Sequence, residues 1–296
     1  MSTPSRVRQA ADVISIQSQV VHGHVGNSAA VLPMQMRGIT VAAVPTTLFS
    51  NTPHFDTMRG RVLDAELVGD LLRGVEERGL IETSRYIVSG YLGSRANGEV
   101  VMAFVERARR INPNIVYICD PVMGDSRLGI FVAEQVVEYL LERLVPLADV
   151  LTPNQFEVSL MAGRELSNWR ELEVALLEIQ KRREARLVVT GCTLADTPDG
   201  VLENVVFDAG RCTRLTCPRL PIVPVGTGDL FTGLLTANLV RGAALVAAAR
   251  DAANTLLAVL GQTIADGENE MRLASVVEVL AASPGGGLND KVQPSL

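Results

Sequence analysis

Ile115-Val116-Tyr117-Ile118-Cys119-Asp120-Pro121-Val122-Met123-Gly124-Asp125 is the stretch on which the fold turns. It opens on an unbroken apolar run, as expected of a strand buried on both faces in a parallel sheet. It then changes abruptly to acids, a proline and a glycine. In open α/β sheets ligands gather beyond the carboxyl ends of the strands, so this polar continuation reads as a ligand-facing edge. Working outward, further strand candidates fall at residues 13–16, 40–44, 86–88, 150–151 and 187–190. Amphipathic helical stretches lie between them, near residues 28–37, 65–78, 98–110, 133–144 and 172–184. This alternation predicts an α/β domain whose mainly parallel central sheet carries helices on both faces. Around 202–207 and 211–216 the pattern becomes an antiparallel hairpin joined by Asp208-Ala209-Gly210, followed by two helices rich in Ala and Leu near 230–241 and 243–260.

The composition suits such a domain. The 296 residues are 47% hydrophobic with only 4% aromatic, and the net charge is -6. The 27 basic residues are dispersed apart from short clusters such as Lys181-Arg182-Arg183, which sits where cations offset a helix C-terminal dipole. A nucleic-acid footprint needs a concentrated basic face, so that class is excluded. Cys119, Cys192, Cys212 and Cys217 form no C-x-x-C pair, and His22, His24 and His54 lack zinc-ligand spacing from them. Free thiols, a cytoplasmic setting and no membrane span are the expectations. Residues 1–11 are polar without an apolar core and read as a flexible N-terminus rather than a secretory signal. Residues 284–296 read as a mobile tail. No internal repeat or composition break divides the rest, so one domain over 12–283 is expected.

The chemistry concentrates at the strand ends: Gln17-Ser18, then Thr46-Thr47-Leu48-Phe49-Ser50-Asn51, Ser89-Gly90-Tyr91, Asp120 to Asp125 and Thr152-Pro153-Asn154-Gln155-Phe156-Glu157. To these is added Val225-Gly226-Thr227-Gly228-Asp229-Leu230-Phe231-Thr232-Gly233, a tight turn running into a helix. Unpaired amides and the positive dipole end favour an anion there. A carboxylate at the same place suits a general base that takes a hydroxyl proton while the amides hold a phosphoryl group, and it equally suits an N-cap. The residues by themselves point to phosphoryl transfer onto a small alcohol.

Taken together and in order, Ser15-Ile16-Gln17-Ser18, Gly26-Asn27-Ser28-Ala29-Ala30, Phe49-Ser50-Asn51, Ser89-Gly90-Tyr91 and the strings at 119–125, 152–157 and 225–231 resemble a pyridoxal kinase of the ribokinase-like superfamily. The resemblance implies a single-domain, three-layer ribokinase-like fold. It also implies ATP-dependent phosphorylation of the 5′-hydroxyl of pyridoxal, pyridoxine or pyridoxamine, Mg²⁺ or another divalent cation with ATP, a monovalent cation (K⁺ or Na⁺), and a homodimer. Asp229 is then similar to the catalytic base, and Gly226, Thr227 and Gly228 to the anion hole. Asp120, Asp125, Thr152, Glu157, Thr190, Gly191, Thr227 and Gly228 resemble the ATP-binding set. Asp120, Asp125 and Glu157 fall by the metal, with at least one contact expected through water. Ser18, Thr52, Tyr91 and Asp229 fall on the vitamin side. Asn154 also favours the turn that starts a helix.

One segment departs from the resemblance. The family commonly reads Phe-Ser-Asn-His-Thr followed two residues on by Tyr, and here the string is Phe49-Ser50-Asn51-Thr52-Pro53-His54-Phe55. The family threonine falls on Pro53, which has neither hydroxyl nor amide hydrogen, so Thr52 or His54 is left to substitute. A hydroxymethylpyrimidine kinase would be expected to carry a Gly-rich segment after the first strand, and a sugar kinase an early Gly-Gly pair; neither is present. A non-catalytic vitamer binder would need no base. A dinucleotide-binding oxidoreductase would need Gly-x-Gly-x-x-Gly after an early strand, which is missing.

Overall fold

The computed structural model describes residues 10–281. The expected mobile segments therefore lie outside the described residues, apart from Ala10 and Ala11. In chain order the elements are β1 (Val13–His22), α1 (Asn27–Met36), β2 (Val41–Asn51), β3 (Gly60–Val62), α2 (Ala65–Glu77), α3 (Leu80–Thr83), β4 (Tyr86–Ser89), α4 (Arg95–Ile111) and β5 (Val116–Cys119). A small hairpin, β6 (Gly124–Asp125) and β7 (Gly129–Ile130), leads to α5 (Glu134–Tyr139). A π-helical turn (Leu140–Leu144) connects α5 to α6 (Val145–Leu147), so the helix expected at 133–144 is not one regular helix. Then follow β8 (Val150–Leu151), α7 (Gln155–Ala162), α8 (Trp169–Arg183), β9 (Arg186–Cys192), β10 (Val201–Asp208) and β11 (Arg211–Pro218). The chain continues through α9 (Thr227–Val240), α10 (Leu245–Ala265), a 3₁₀ turn (Leu273–Val276) and α11 (Val277–Ala281).

Nine strands form one sheet in the order β11-β10-β9-β8-β5-β4-β1-β2-β3. From β9 to β2 neighbours run parallel, and β10, β11 and β3 are antiparallel additions at the two edges. Side chains alternate between two apolar layers, as a pleat of period two requires. Ile14, Ile16, Ile87, Tyr117, Cys119, Leu151 and Phe207 join the core under α2, α4 and α8. Val13, Val88, Ile118, Val150, Val188 and Val206 join the core under α1, α9 and α10. This two-sided burial is why the strands read as continuous apolar runs.

The first two strands run farther than the apolar pattern indicated. β1 and β2 stay paired out to His22 and Asn51, with a register shift between Gln17 and Gln19. The polar Gln17, Ser18 and Gln19 hid this extension. Strand β1 lies between β2 and β4, so the connections turn from one side of it to the other. A crevice opens at such a reversal, and Ser18 of β1 and Tyr91 beyond β4 stand beside it. Asn27, buried at the start of α1, closes the base of this region. Its amide donates to the carbonyls of Gln17 (3.3 Å) and Val44 (3.2 Å), and its Oδ1 accepts from Ser15 (2.8 Å).

Candidate active site

The turn before α9 has the geometry its sequence implied. Gly226 sits at φ 83° as the N-cap residue, and a side chain there would overlap the carbonyl of His24, so glycine is required on both counts. The first intrahelical bond runs from the Leu230 amide to the Gly226 carbonyl at 2.9 Å. The amides of Thr227, Gly228 and Asp229 precede it and are the unpaired donors of a fourteen-residue helix. Asp229 is not the N-cap, and no side chain caps this helix. The capping alternative is thereby removed.

Asp229 is partly exposed, yet protein atoms crowd its carboxylate. Desolvation raises its pKa to about 6, while the Gly26 amide that donates to it pulls the other way. Gly26 in turn lies hard against Ser18, leaving no room for a side chain. Ser18 and Asp229 are thus joined through one glycine.

Across the turn, Asp120 emerges from β5, 6% exposed. A side chain at Gly228 would come within 3.9 Å of its Oδ2. Burial pushes the Asp120 carboxyl well above the usual range, and the charges of Glu157 and Asp229 push the same way. Thr232, one turn along α9 from Asp229, donates to Asp120 Oδ2 at 3.3 Å, and its oxygen lies 3.0 Å from Thr152 Oγ1. Sequence reasoning did not single out Thr232. Its only signal was the i, i+3 spacing from Asp229.

Glu157 is held by backbone. Asn154 caps α7 and accepts from the Glu157 amide, while Glu157 accepts from the Asn154 amide, a reciprocal capping box. The same carboxylate accepts from the amides of Met123 (2.9 Å) and Gly124 (3.5 Å). Burial raises its pKa to about 8 despite these bonds. Asp125 Oδ1 accepts from the amides of Arg127 and Leu128 and so shapes the β6–β7 hairpin. Among the described residues no three His, Cys, Asp or Glu side chains gather closely enough to hold an ion. Glu157 and Asp125 already accept from backbone amides, Asp125 through Oδ1 alone.

At the β9 end, the Thr190 amide donates to the Pro153 carbonyl, and Gly191, in the left-handed region, donates to Asn204. Beyond β4, Tyr91 is half-buried, and its carbonyl accepts from Thr46 at 2.6 Å. Thr52 is fully buried, and its hydroxyl donates to Glu270 and lies 3.0 Å from His54 Nδ1. Glu270 carried no signal in the sequence. It stands in an unremarkable polar stretch some forty residues beyond the Gly226 turn.

Residues 28–273 match the family model described as phosphomethylpyrimidine kinase. The chain is 37% identical to a pyridoxal kinase of Leifsonia xyli over 91% of its own length and 95% of that protein. The chain belongs to the pyridoxal kinase family. It is also 37% identical to a pyridoxine/pyridoxal/pyridoxamine kinase of Bordetella avium, covering 92% of this chain and 89% of that one. Among solved structures, pyridoxal kinase from Leishmania donovani in complex with ADP and pyridoxine superposes with a TM-score of 0.83 at 29% identity, covering 92% and 96% of the two chains. The ribokinase-like fold expected of a pyridoxal kinase is the one observed.

Proposed function

We propose that this pyridoxal kinase transfers the γ-phosphoryl group of ATP to the 5′-hydroxyl of pyridoxal, pyridoxine or pyridoxamine, with Asp229 as the base. The observation that carries the reading is Asp229 placed among the unpaired amides of α9, its pKa raised to about 6. The hydroxyl proton passes to the Asp229 carboxylate as the oxygen lone pair forms the new bond to phosphorus. The bond to the bridging oxygen breaks, and its electrons leave with ADP. The amides of Gly226, Thr227 and Gly228 meet the charge on the moving group, which is most of what phosphoryl transfer asks of a protein.

ATP lies in this reading along the ends of β5, β8 and β9, by Asp120, Asp125, Thr152, Glu157, Thr190 and Gly191. Asp120, desolvated and repelled by the charges of Glu157 and Asp229, suits a hard cation such as Mg²⁺ whose remaining ligands are phosphate oxygens and water. Asp120 would meet it, with Asp125 and Glu157 acting through water, and the cation would neutralise phosphate charge. A monovalent cation near Asp120 and Glu157 belongs to the same reading. Ser18, Tyr91 and the Thr52 loop face the vitamer. Exposed Leu48, Phe55 and Met58 near the β2–β3 edge support a homodimer. No helix among the described residues is long and apolar enough to cross a membrane, and a cytoplasmic setting with ATP at hand completes the proposal.

The description of the matching family model, phosphomethylpyrimidine kinase, favours a second reading, phosphorylation of a methylpyrimidine whose unphosphorylated form is hydroxymethylpyrimidine. The deciding experiment assays pyridoxal, pyridoxine, pyridoxamine, hydroxymethylpyrimidine and ribose side by side with ATP and Mg²⁺. Turnover of the B6 vitamers is expected. Turnover of hydroxymethylpyrimidine alone would replace this proposal with the second reading.

A further inference from the structure

Glu270 and Met271, in the connection after α10, touch the loop after β1, the loop after β2 and the Gly226 turn. Glu270 Oε1 accepts from the buried Thr52 hydroxyl and lies 3.4 Å from His54 Nδ1. Gly23 packs so closely that a side chain there would come within 2.6 Å of Thr52 Cγ2 and 2.9 Å of Glu270 Oε1. The next residue, His24, presses its carbonyl against Gly226, and its ring bonds to the Met271 backbone. Met271 is buried, with Cε 3.2 Å from where a Gly226 side chain would begin. Three residues after Gly23, the Gly26 amide reaches Asp229. A short series of packed contacts thus runs from Glu270 to the base and to the anion hole.

We propose that Glu270 is a positioning residue for the transfer. It holds the loop after β2 and the loop after β1 in register with the Gly226 turn, and it touches no reacting atom itself. The inference rests on the kinase reading above. Two buried acceptors mark the joint: Glu270 Oε2 and His24 Nδ1 both lack partners among the described residues, and the two groups interact electrostatically. With the other His24 nitrogen donating to Met271, Nδ1 carries a lone pair. A glutamine at 270 would keep the Oε1 acceptor for Thr52, whereas alanine would remove it.

The test is steady-state kinetics of the full chain with pyridoxal and ATP, together with amide hydrogen exchange of residues 22–26 and 50–58 without ligands. Glu270→Ala is expected to raise the pyridoxal KM about tenfold, the scale of one well-made hydrogen bond to a charged group. The ATP KM should stay within about twofold, since the nucleotide strands are untouched. Exchange in both segments should rise. Glu270→Gln should stay near wild type in all of these. Wild-type kinetics in Glu270→Ala, equal losses toward pyridoxal and ATP, or a Gln variant as damaged as the Ala variant would overturn the assignment. Should Glu270→Ala fail to fold, Thr52→Val removes a single hydrogen bond and must still raise the pyridoxal KM selectively. An unchanged value there overturns the proposal too. A wild-type protein that phosphorylates no vitamer would sink the kinase reading, while the exchange comparison would still decide whether Glu270 orders the two loops.

Discussion

The two ends of the cleft are held by different physics. At the phosphoryl end the Gly226 turn, the unpaired amides of α9 and the backbone cradle of Glu157 supply fixed dipoles. Side chains there contribute mainly charge, apart from the Thr232 hydroxyl bonded to Asp120 and close to Thr152. At the vitamin end, side chains from distant parts of the chain bond to one another, as Thr52 does to Glu270 across 218 positions. Backbone geometry tolerates almost no substitution, whereas side-chain contacts tolerate exchange if the donors and acceptors still match. With the proposed roles, chemistry is fixed at one end, and substrate preference is adjustable at the other.

The contrast can be broken most severely at Asp229. Asp229→Asn should lower kcat by roughly 10²- to 10⁴-fold, the range for a lost general base, while equilibrium binding of ATP and pyridoxal stays within a few-fold. Calorimetry beside turnover would check it, and comparable losses in binding would show that Asp229 mainly holds ligand. Gly226→Ala should cost about 10²- to 10³-fold in kcat, as for a lost anion-hole donor, because its methyl group meets the His24 carbonyl. Near-normal turnover in that variant would refute a rigid anion hole.

A smaller effect concerns the acids. Asp120 and Glu157 keep their protons in the folded state to unusually high pH, Glu157 to about 8. Their pKa values are raised above those of the unfolded chain, so they contribute stability at low pH that is lost as pH climbs from the ordinary carboxylate range through about 8. A divalent cation that replaces those protons should restore it. Mg²⁺ is expected to raise Tm more at pH 8 than at pH 6, by a few degrees, and an equal or reversed dependence would separate the cation from these acids. Smallest of all, Ser18→Ala should raise the vitamer KM roughly two- to tenfold, leaving kcat and the ATP KM alone. An effect confined to ATP would misplace the vitamin end.

The same contrast decides what could be read beforehand. Strands such as Val116–Cys119 announce themselves because burial on both faces demands an apolar run. The turn at 225–229 does so because only glycine fits the left-handed conformation and the close approach at 226. Asn154 was legible as a helix start, and the capping box bears that out. Other features left no local trace. The ends of β1 and β2 lie under polar residues, and β3 and the β6–β7 hairpin are too short for a periodic signal. Thr232 and Glu270 matter through partners 112 and 218 positions away, which neither composition nor spacing can register.

The central claim is that an ionised Asp229 with a pKa of about 6 accepts the substrate proton. The pH dependence of kcat with saturating ATP, Mg²⁺ and pyridoxal tests it most directly, measured on wild type and on Asp229→Asn. Since the base must be ionised, wild-type turnover should fall about tenfold per pH unit below about 6 and level off above it. The residual activity of Asp229→Asn should lack that acidic limb. An acidic limb of the same midpoint surviving in Asp229→Asn would contradict the account.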